Sequence, residues 1–542
     1  MKYLKNLRNK LTLLGLVFFT IISILLHLIK IEYPCFNSDE ASFAYNAHSI
    51  AKTGKDEYGS ILPSRFLAFG ENKLPVTIYL MAPFVGFLGL SEITSRLPFI
   101  LIGIFSPLIF YFFVKKLTES TKTALISSFL VSFSPFIQIM SRHIHENIIM
   151  LIVAIAIVYV LSTLYKGITI TKLIALSFLT TLSLFTYHMG KVLSVFVFFW
   201  ILYFLTFYQK NNRKFLKKSI LIFGAPILFF LFTEFQNPSS RISNLLFLNN
   251  PGFTLNIESQ REEHNNRLFH NKITHSIIFV TKQYISYFSP EFLVIKGDAN
   301  RRFGVEGVSP ITAVEYIFAI VGIYFAFHKK IQSRYLLISL LFIAPASASL
   351  SWQGSSITRS FLLIIPIIFF GAYGIKNFID IFKNKILKYI IFLTVFGGII
   401  FYSVMSWDYY FNHYLIQKET QFSWQCGYKG LGKYINENYD NFDKFYITKK
   451  LGQPYIFTLF YTKFNPTEYQ KQANLSAPDE YGFGQVEKFD KFIFDFKKPE
   501  KTVSATYIGF EEDFPDELKP NLKRVSVNDT DIFFIYEVLK NN

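Results

Sequence analysis

The sequence predicts a polytopic α-helical membrane protein that carries a soluble α/β domain at its C-terminal end. Three observations lead to this fold class. Apolar residues make up 51% of the 542 residues and gather in long blocks of the length that a bilayer demands. Lys and Arg cluster in short stretches between those blocks. The stretch 407–542 has no such blocks and alternates short helix-like and strand-like runs.

Eleven apolar blocks have about the 20 residues that a transmembrane helix needs. They lie near 11–30, 92–114, 121–139, 147–165, 172–187, 192–208, 219–234, 311–327, 335–350, 360–377 and 388–406. Segment 76–90 is bracketed by Pro75 and Pro83, so we expect a helix on the membrane surface; a twelfth span there would invert everything after it. The first block follows a basic start like a signal peptide, but no small-residue cleavage site follows, so we expect an uncleaved span.

The charged residues between the blocks predict the orientation of the chain. Lys and Arg are frequent in one set of stretches, at 1–10, 115–122, 166–172, 209–218, 328–334 and 376–388. The short stretches between other blocks hold one basic residue each, Arg142, Lys191 and Arg359. The positive-inside rule then predicts a protein of the cell (inner) membrane, with the N-terminus in the cytoplasm and the C-terminal domain on the extracytoplasmic side. The net charge of +17 therefore reports topology, and we expect no nucleic-acid partner.

We expect two domains from this pattern. Residues 1–406 form the transmembrane domain, with large outer loops at 31–91 and 235–310, and residues 407–542 form an extracytoplasmic α/β domain. In the latter, helices and strands are predicted at 430–438, 444–448, 454–461, 492–496, 505–510 and 531–538. The loop 235–310 is either a solvated surface or a mobile lid over the acceptor. Cys35 and Cys426 lie far apart in the sequence, so we expect two unpaired thiols, although a disulfide is chemically allowed on the outer side.

The residues best suited to chemistry follow the first span. Asp39 and Glu40 are adjacent, so their side chains point in different directions and at most one faces a given reactant. A structural alternative is a helix cap, in which Asp39 with Ser38 starts a helix over 41–50. Lys73 ends the same loop, where it can anchor the chain at the membrane surface or hold a lipid phosphate.

Further polar residues lie at the ends of the predicted spans. Ionisable residues at such depths are costly and tend to face the interior of a helix bundle. Arg96 lies at the mouth of the second span, and Arg142 and Glu146 lie between the third and fourth spans, where they can also pair on one helix face. His143, His145 and Glu146 suggest a metal site, with His188 on a nearby outer turn, but His143 and His145 lie two apart and diverge on a helix, so the ligand spacing is poor. We therefore expect no cofactor, with a divalent metal as the alternative.

These motifs resemble those of a known family, the polyprenyl-phosphate-dependent membrane glycosyltransferases of the GT-C type. This family includes the protein O-mannosyltransferases and the aminoarabinose transferases of lipid A. The resemblance is carried by Asp39-Glu40, by Lys73-Leu-Pro75 before a surface helix, by Ser95-Arg-Leu-Pro98 and by Glu146 after Ser141-Arg142. The family often has Lys-Pro-Pro and often has an aspartate as the second acid, so Leu74 and Glu146 are departures that leave the donor sugar and acceptor open.

The resemblance implies a transferase that moves a sugar from an undecaprenyl- or dolichyl-type phosphate carrier to a hydroxyl on a protein, lipid or glycan. It also implies one inverting displacement at the outer face of the membrane, with membrane lipids as partners. Asp39 would be the base, Glu40 would raise its basicity, and Glu146 would orient the acceptor or a catalytic partner. Cations would hold the donor phosphate: Lys73, Arg142, Lys191 and Arg359. Further site candidates are Tyr45, Arg96, His143 and His188.

A membrane transporter or lipid flippase is the main alternative, since charges within a membrane can line a pathway. Inverted repeats, which many transporters have, are not apparent in the sequence. A non-catalytic scaffold or receptor would leave unexplained why Asp39, Lys73 and Glu146 lie on one predicted side of the membrane. Sugar transfer measured beside solute flux separates these classes.

Overall fold

The computed structural model describes residues 2–207, 213–236, 245–263, 266–305, 307–477, 484–499, 504–528 and 530–539. The chain divides into two compact units. The first unit comprises Met1–Lys30 and Phe99–Phe411, and the second comprises Ile31–Pro98 and Asn412–Asn542. We predicted that the loop 31–91 belongs to a transmembrane domain over residues 1–406. The structure instead groups this loop with the C-terminal segment.

The first unit is built from α-helices. Its described α-helices are Lys2–Leu28, Glu92–Thr118 (which begins in the second unit), Thr121–Phe133, Pro135–Met140, Glu146–Thr163, Ile170–Leu184, Met189–Phe207, Arg213–Gln236, Pro251–Glu263, Lys272–Ser286, Ala313–His328, Arg334–Ile343, Ile364–Ile381 and Lys385–Asn412. The described part of the loop 235–310 thus holds two complete α-helices, together with a 3-10 helix at Phe247–Asn249 and a π-helix at Glu291–Lys296. Residues 237–244, 264–265 and 306 of that loop lie outside the described part, as do 209–212 of the basic stretch 209–218. The lid role of the loop stays a prediction.

Seven of the described helices are long and apolar enough to cross a membrane: Asn9–Leu28, Glu92–Thr118, Glu146–Lys166, Met189–Phe207, Lys217–Gln236, Phe361–Ile381 and Lys385–Ile416. Each coincides with a predicted span, so the prediction of an integral, polytopic membrane protein is confirmed. The other four predicted spans fall on shorter apolar helices, Thr121–Phe133, Ile170–Leu184, Ala313–His328 and Arg334–Leu350. For these four, and for the surface position of Val76–Leu88, the relation to the membrane stays a prediction.

Local sequence explains where these helices begin and end. Helix Glu92–Thr118 has an acidic residue in its first turn and Lys115 and Lys116 in its last turn, which complements the helix dipole. The predicted span 121–139 is broken, because Pro135 forces Ser134 out of the helical conformation (ψ 109°). Ser134 then caps the next short helix through a bond from the backbone N–H of Ile137.

Two glycines allow the helices Ala313–His328 and Ile364–Ile381 to approach each other closely. A Cβ atom added at Gly322 would lie 1.8 Å from the backbone oxygen of Phe370, and one added at Gly374 would lie 2.0 Å from that of Phe318. Small residues allow such backbone approach between membrane helices. This helix pair therefore requires glycine at both positions.

The second unit contains a six-stranded mixed sheet in the strand order β4-β5-β3-β6-β8-β7. The strands are β3 (Lys444–Ile447), β4 (Lys488–Phe489), β5 (Phe492–Phe494), β6 (Ala505–Gly509), β7 (Lys523–Val527) and β8 (Thr530–Val538). The central strand β3 runs parallel to β5 and β6, and the outer strands pair antiparallel. One face buries a cluster of apolar side chains that includes Tyr507, Phe514 and Val538. The prediction of a C-terminal α/β domain is confirmed.

The segment 31–98 supplies the other part of the second unit. It contains the helices Ser38–Thr53 and Val76–Leu88 and a two-stranded hairpin, and the C-terminal segment adds Lys418–Ser423, Tyr428–Asn438, Pro454–Tyr461 and Pro466–Gln470. Phe36 stacks on Phe460 with ring centroids 4.6 Å apart. A disulfide joins Cys35 to Cys426 across 391 residues of sequence. The prediction of two unpaired thiols is therefore wrong, because the fold brings the two Cα atoms to 5.3 Å.

Candidate active site

Asp39 is placed by the first turn of the helix Ser38–Thr53. The residue that caps this helix is Asn37, whose side-chain oxygen accepts a hydrogen bond from the backbone N–H of Glu40 at 3.1 Å. In return, the Glu40 carboxylate accepts from the backbone N–H of Asn37 at 3.3 Å. This reciprocal capping box fixes the start of the helix. The predicted cap at Ser38 and Asp39 is wrong, because Asn37 occupies that position and Asp39 lies in the first turn.

Lys73 is placed by the hairpin of strands β1 (Phe66–Ala68) and β2 (Glu71–Lys73). The two central residues of its turn, Phe69 and Gly70, both have positive φ, at 56° and 87°. Two such residues make the type I′ turn, whose twist matches that of paired strands. The hairpin register sets Lys73 opposite Phe66.

Asp39 and Lys73 form an ion pair. Lys73 Nζ lies 3.0 Å from Asp39 Oδ1, and the side chain of Lys73 is 13% exposed against 50% for that of Asp39. The ammonium also lies over the rings of Phe43, at 4.3 Å, and Phe69, at 5.1 Å, which favour a cation electrostatically. The pair therefore presents a solvent-reachable carboxylate beside a cation held against aromatic rings.

Glu40 points away from Asp39 into the interior of the second unit, as predicted for adjacent residues. Its fully buried carboxylate accepts two hydrogen bonds from Arg96, at 2.8 Å from Nε and 2.7 Å from Nη2. Arg96 also donates to the backbone oxygens of Pro34 and Cys35. These contacts tie Glu40 and Arg96 into the structure of the second unit. The predicted site roles of both residues stay predictions.

Tyr45 also has a structural position. Its side chain is completely buried, its hydroxyl donates to the backbone oxygen of Phe464 at 3.0 Å, and its ring meets Tyr469 edge-on. Burial raises the pKa of the Tyr45 hydroxyl, so it stays protonated at physiological pH.

In the first unit, three loops gather around the start of helix Glu146–Thr163. His145 caps that helix by accepting from the backbone N–H of Asn147 at 3.1 Å, and Asn147 donates to the backbone oxygen of Thr358 at 2.7 Å. The Glu146 carboxylate, 18% exposed, lies 3.8 Å from His145 Nδ1. The ring of Phe303 meets that of His145 edge-on at 5.1 Å. The second predicted acid, Glu146, therefore lies beside polar groups of these loops.

Two of the predicted phosphate-binding cations are engaged in structural contacts. The buried Arg142 guanidinium donates to the backbone oxygens of Ile29 and Lys30, both at 2.7 Å, just after the first helix. Such carbonyls at a helix end need donors. Lys191 lies 3.3 Å from Glu234, which belongs to the helix Arg213–Gln236. Arg142 and Glu146 do not share a helix face, because the helix begins at Glu146.

The remaining candidates of the first unit lie in its loops. Arg359 donates to the hydroxyl of Ser351 and to the backbone oxygen of Gly354. His143 is buried, with its ring centroid 6.0 Å from that of His145 and the two rings nearly perpendicular. The His188 ring lies 6.0 Å from that of Tyr187, which itself contacts His145.

Comparisons with known proteins bear on the family and the fold. Residues 72–235 match the family model described as dolichyl-phosphate-mannose-protein mannosyltransferase, a range that includes Lys73, Arg96 and Glu146. The crystal structure of ArnT from Cupriavidus metallidurans in the apo state has a TM-score of 0.53 to this chain at 10% identity, covering 97% of this chain and 98% of ArnT. ArnT bound to undecaprenyl phosphate has a TM-score of 0.53 at 9% identity, covering 96% and 97%. No curated protein matches the sequence.

The chain has a GT-C fold. The resemblance that the motifs predicted is confirmed for the fold over nearly the whole chain, and the family model matches residues 72–235 of it. Within this GT-C fold, Asp39 and Lys73 form an ion pair in the second unit, which also contains Glu40, Tyr45 and Arg96. The other candidates belong to the first unit: Arg142, His143, Glu146, His188, Lys191 and Arg359.

The GT-C chain also contains functional-site candidates that the sequence interpretation missed. Asp298 is buried, and its carboxylate accepts from the Ser356 hydroxyl at 2.7 Å and the backbone N–H of Ile357 at 3.0 Å. Burial raises the pKa of Asp298, although these bonds and Arg359 oppose the shift. Glu57 is a second buried acid, in the second unit. The short run Lys296-Gly-Asp298 is a sequence feature that could have pointed to Asp298, and no sequence feature pointed to Glu57.

Among the described residues, no group of three or more His, Cys, Asp or Glu side chains could hold a metal ion. Whether this GT-C protein needs a metal or another cofactor stays a prediction that the arrangement does not test.

Proposed function

We propose that the protein transfers a sugar from a polyprenyl-phosphate donor to a hydroxyl acceptor at the extracytoplasmic face of the cell membrane. The observation that carries this proposal is the ion pair of Asp39 and Lys73. Transfer to a hydroxyl needs a base for the acceptor proton and a cation for the departing phosphate. One half-exposed carboxylate and one shielded ammonium, 3.0 Å apart, meet both needs.

The comparisons support the same donor class. A GT-C protein of similar fold, ArnT, has been crystallised with undecaprenyl phosphate, and the matching family model describes a transferase that uses dolichyl-phosphate mannose. We extend this donor class to the present chain. In the proposed reaction Asp39 removes the acceptor proton, the hydroxyl oxygen attacks the anomeric carbon, and the bond to phosphate breaks in one inverting displacement. The positively charged Lys73 stabilises the phosphate that leaves.

The test is transfer of labelled sugar from a panel of polyprenyl-phosphate sugars to total membrane acceptors, with wild type compared to Asp39→Asn. Loss of a general base costs about 10²–10⁴ in rate, so we expect kcat to fall by that factor. Lys73→Gln should lower kcat and raise the KM for the donor together, since Lys73 contacts the phosphate before and during transfer. Glu468→Gln is the matched control, because it removes a carboxylate that is 56% exposed and ion-paired to Lys471.

Two other outcomes of this assay would contradict parts of the proposal. Full activity of Asp39→Asn would move the base elsewhere, with Glu146 as the next candidate. If folded wild-type protein uses no donor in the panel, the transferase proposal fails. Solute flux in proteoliposomes would then test the transporter or flippase alternative.

A further inference from the structure

A buried glutamate lies behind the Asp39–Lys73 pair in the second unit. Glu57 has no exposed surface. Its Oε1 accepts from the side-chain amide of Asn46 at 3.2 Å, and its own backbone N–H donates to Asn46 Oδ1 at 3.0 Å. Its other oxygen, Oε2, is buried and has no hydrogen-bond donor among the described residues. A buried ionised carboxylate in this state would be costly, so the environment favours the neutral acid.

The helix that carries Asp39 also holds Glu57 in place. Asp39, Phe43 and Asn46 are spaced by four and three residues, which sets them on one face of the helix Ser38–Thr53. Asp39 pairs with Lys73, Phe43 lies under the Lys73 ammonium, and Asn46 binds Glu57. The Lys73 ammonium is close enough to Glu57 to stabilise its ionised form electrostatically. One helix face therefore organises two carboxyl groups around one lysine.

The other groups that face Glu57 are tyrosines and one acid. Tyr45, Tyr58, Tyr455 and Tyr469 interact electrostatically with its carboxyl group, and the neighbouring Asp56 adds negative charge. Burial, with a smaller contribution from Asp56, raises the pKa of Glu57 to about 8 against the opposing effects of the Asn46 hydrogen bond and of Lys73. Below about pH 8 the group is neutral, and above it the group becomes ionised.

We propose that Glu57 is a positioning residue that controls how strongly Lys73 attracts the donor phosphate. This inference rests on the proposed function. When Glu57 is neutral, Lys73 faces one carboxylate, that of Asp39, and attracts the phosphate. When Glu57 is ionised, Lys73 faces two carboxylates, and the second competes with the phosphate for the same ammonium. Glu57 acts through Lys73 and does not itself contact the donor.

The experiment measures binding of undecaprenyl phosphate to the purified full-length protein between pH 6 and pH 10 (about two pH units on either side of the transition). The lipid phosphate titrates identically with every variant, so the ratio of the wild-type and Glu57→Gln affinities isolates Glu57. We expect the two proteins to bind equally below pH 8. Above it, the wild-type Kd should rise by up to about tenfold per pH unit relative to that of Glu57→Gln. Glu71→Gln, which removes a carboxylate from the strand of Lys73, should keep the wild-type profile.

A second readout does not depend on binding. Difference infrared spectroscopy should show the band of a protonated carboxyl group that disappears as pH rises through about 8 and is absent from Glu57→Gln. Identical affinity profiles for wild type and Glu57→Gln would overturn the proposal even if the band titrates. A band unchanged by the substitution would overturn it as well. Wild-type protein that binds no undecaprenyl phosphate at any pH would remove the proposed function, and the role of Glu57 with it, whereas binding with parallel profiles would remove the role of Glu57 alone.

Discussion

The adjacent residues Asp39 and Glu40 each form an ion pair, and the two pairs differ in their exposure to solvent. Asp39 is half exposed, so water and salt screen its attraction to Lys73. A charged ligand can therefore take the place of one member of this ion pair. Glu40 and Arg96 are both buried, at 0% and 1% exposure, and each satisfies the other through two hydrogen bonds. Such a pair cannot exchange partners without leaving a charge unpaired in the interior. The exposed pair is therefore suited to chemistry and the buried pair to structure.

We predict that Glu40→Gln destabilises the protein by about 3–5 kcal/mol, because the Arg96 charge is then buried without its counter-charge. The same substitution weakens the capping box at Asn37, since a neutral amide accepts the backbone N–H less strongly. Thermal unfolding of the detergent-purified protein measures the effect. Lys433→Ala is the control, because it breaks an exposed pair with Glu437 on one helix and should cost less than about 0.5 kcal/mol. Equal unfolding midpoints for the two variants would contradict the structural role of Glu40.

At the residue scale, the sequence could point to Asp39 and Lys73 but could not separate Asp39 from Glu40. Both acids follow the first span, and both match the family motif. What distinguishes them is Arg96, which lies 56 residues from Glu40 in the sequence. In the described part of the chain, Arg96 donates hydrogen bonds to Glu40 and none to Asp39. Glu57 was missed for the same reason. Its carboxyl group interacts with tyrosines from distant segments of the sequence, among them Tyr455 and Tyr469. No local sequence pattern therefore predicts the surroundings of Glu57.

Elements with a clear period were predictable, and edge elements were not. The helix Pro454–Tyr461 and the strand β8 lie within one or two residues of the predicted ranges. Strands β4 and β7 were missed, because they lie at the two edges of the sheet and are short or polar. The break at Pro135 was missed because apolar composition alone continues through it. Hydrophobic pattern thus finds elements that face a core and misses those that border solvent.

At the element scale, we predict that Gly322→Ala lowers stability by about 1–3 kcal/mol. The added Cβ would meet the backbone oxygen of Phe370, which cannot move like a flexible side chain, so the two helices must separate. The unfolding midpoint in detergent is the measurement. Gly397→Ala is the matched control, since a Cβ there meets nothing within 4 Å and alanine favours the helix. A destabilised Gly397→Ala with an unchanged Gly322→Ala would contradict the close approach of the two helices.

At the scale of the whole molecule, one covalent bond joins the two sequence segments of the second unit. Cys35 follows the first span, and Cys426 lies in the C-terminal segment, which starts at Asn412. The sequence could not reveal this pairing, because two cysteines with no spacing pattern carry no information about the distance between them. The disulfide also bears on orientation. Disulfides persist in oxidising compartments, so the second unit should lie on the side away from the cytoplasm.

We therefore predict that a membrane-impermeant thiol reagent labels Cys35 in intact cells only after treatment with an impermeant reductant. The reason is that the disulfide with Cys426 blocks the sulfur until it is reduced, and both reagents reach only the outer face. The control is Gln332→Cys in a Cys35→Ser/Cys426→Ser background, which sets a thiol in the basic stretch 328–334. The positive-inside rule places that stretch in the cytoplasm, so this thiol should react only after the cells are permeabilised. Labelling of Cys35 without reductant would contradict the disulfide, whereas labelling of Gln332→Cys in intact cells would contradict the predicted cytoplasmic position of the stretch 328–334.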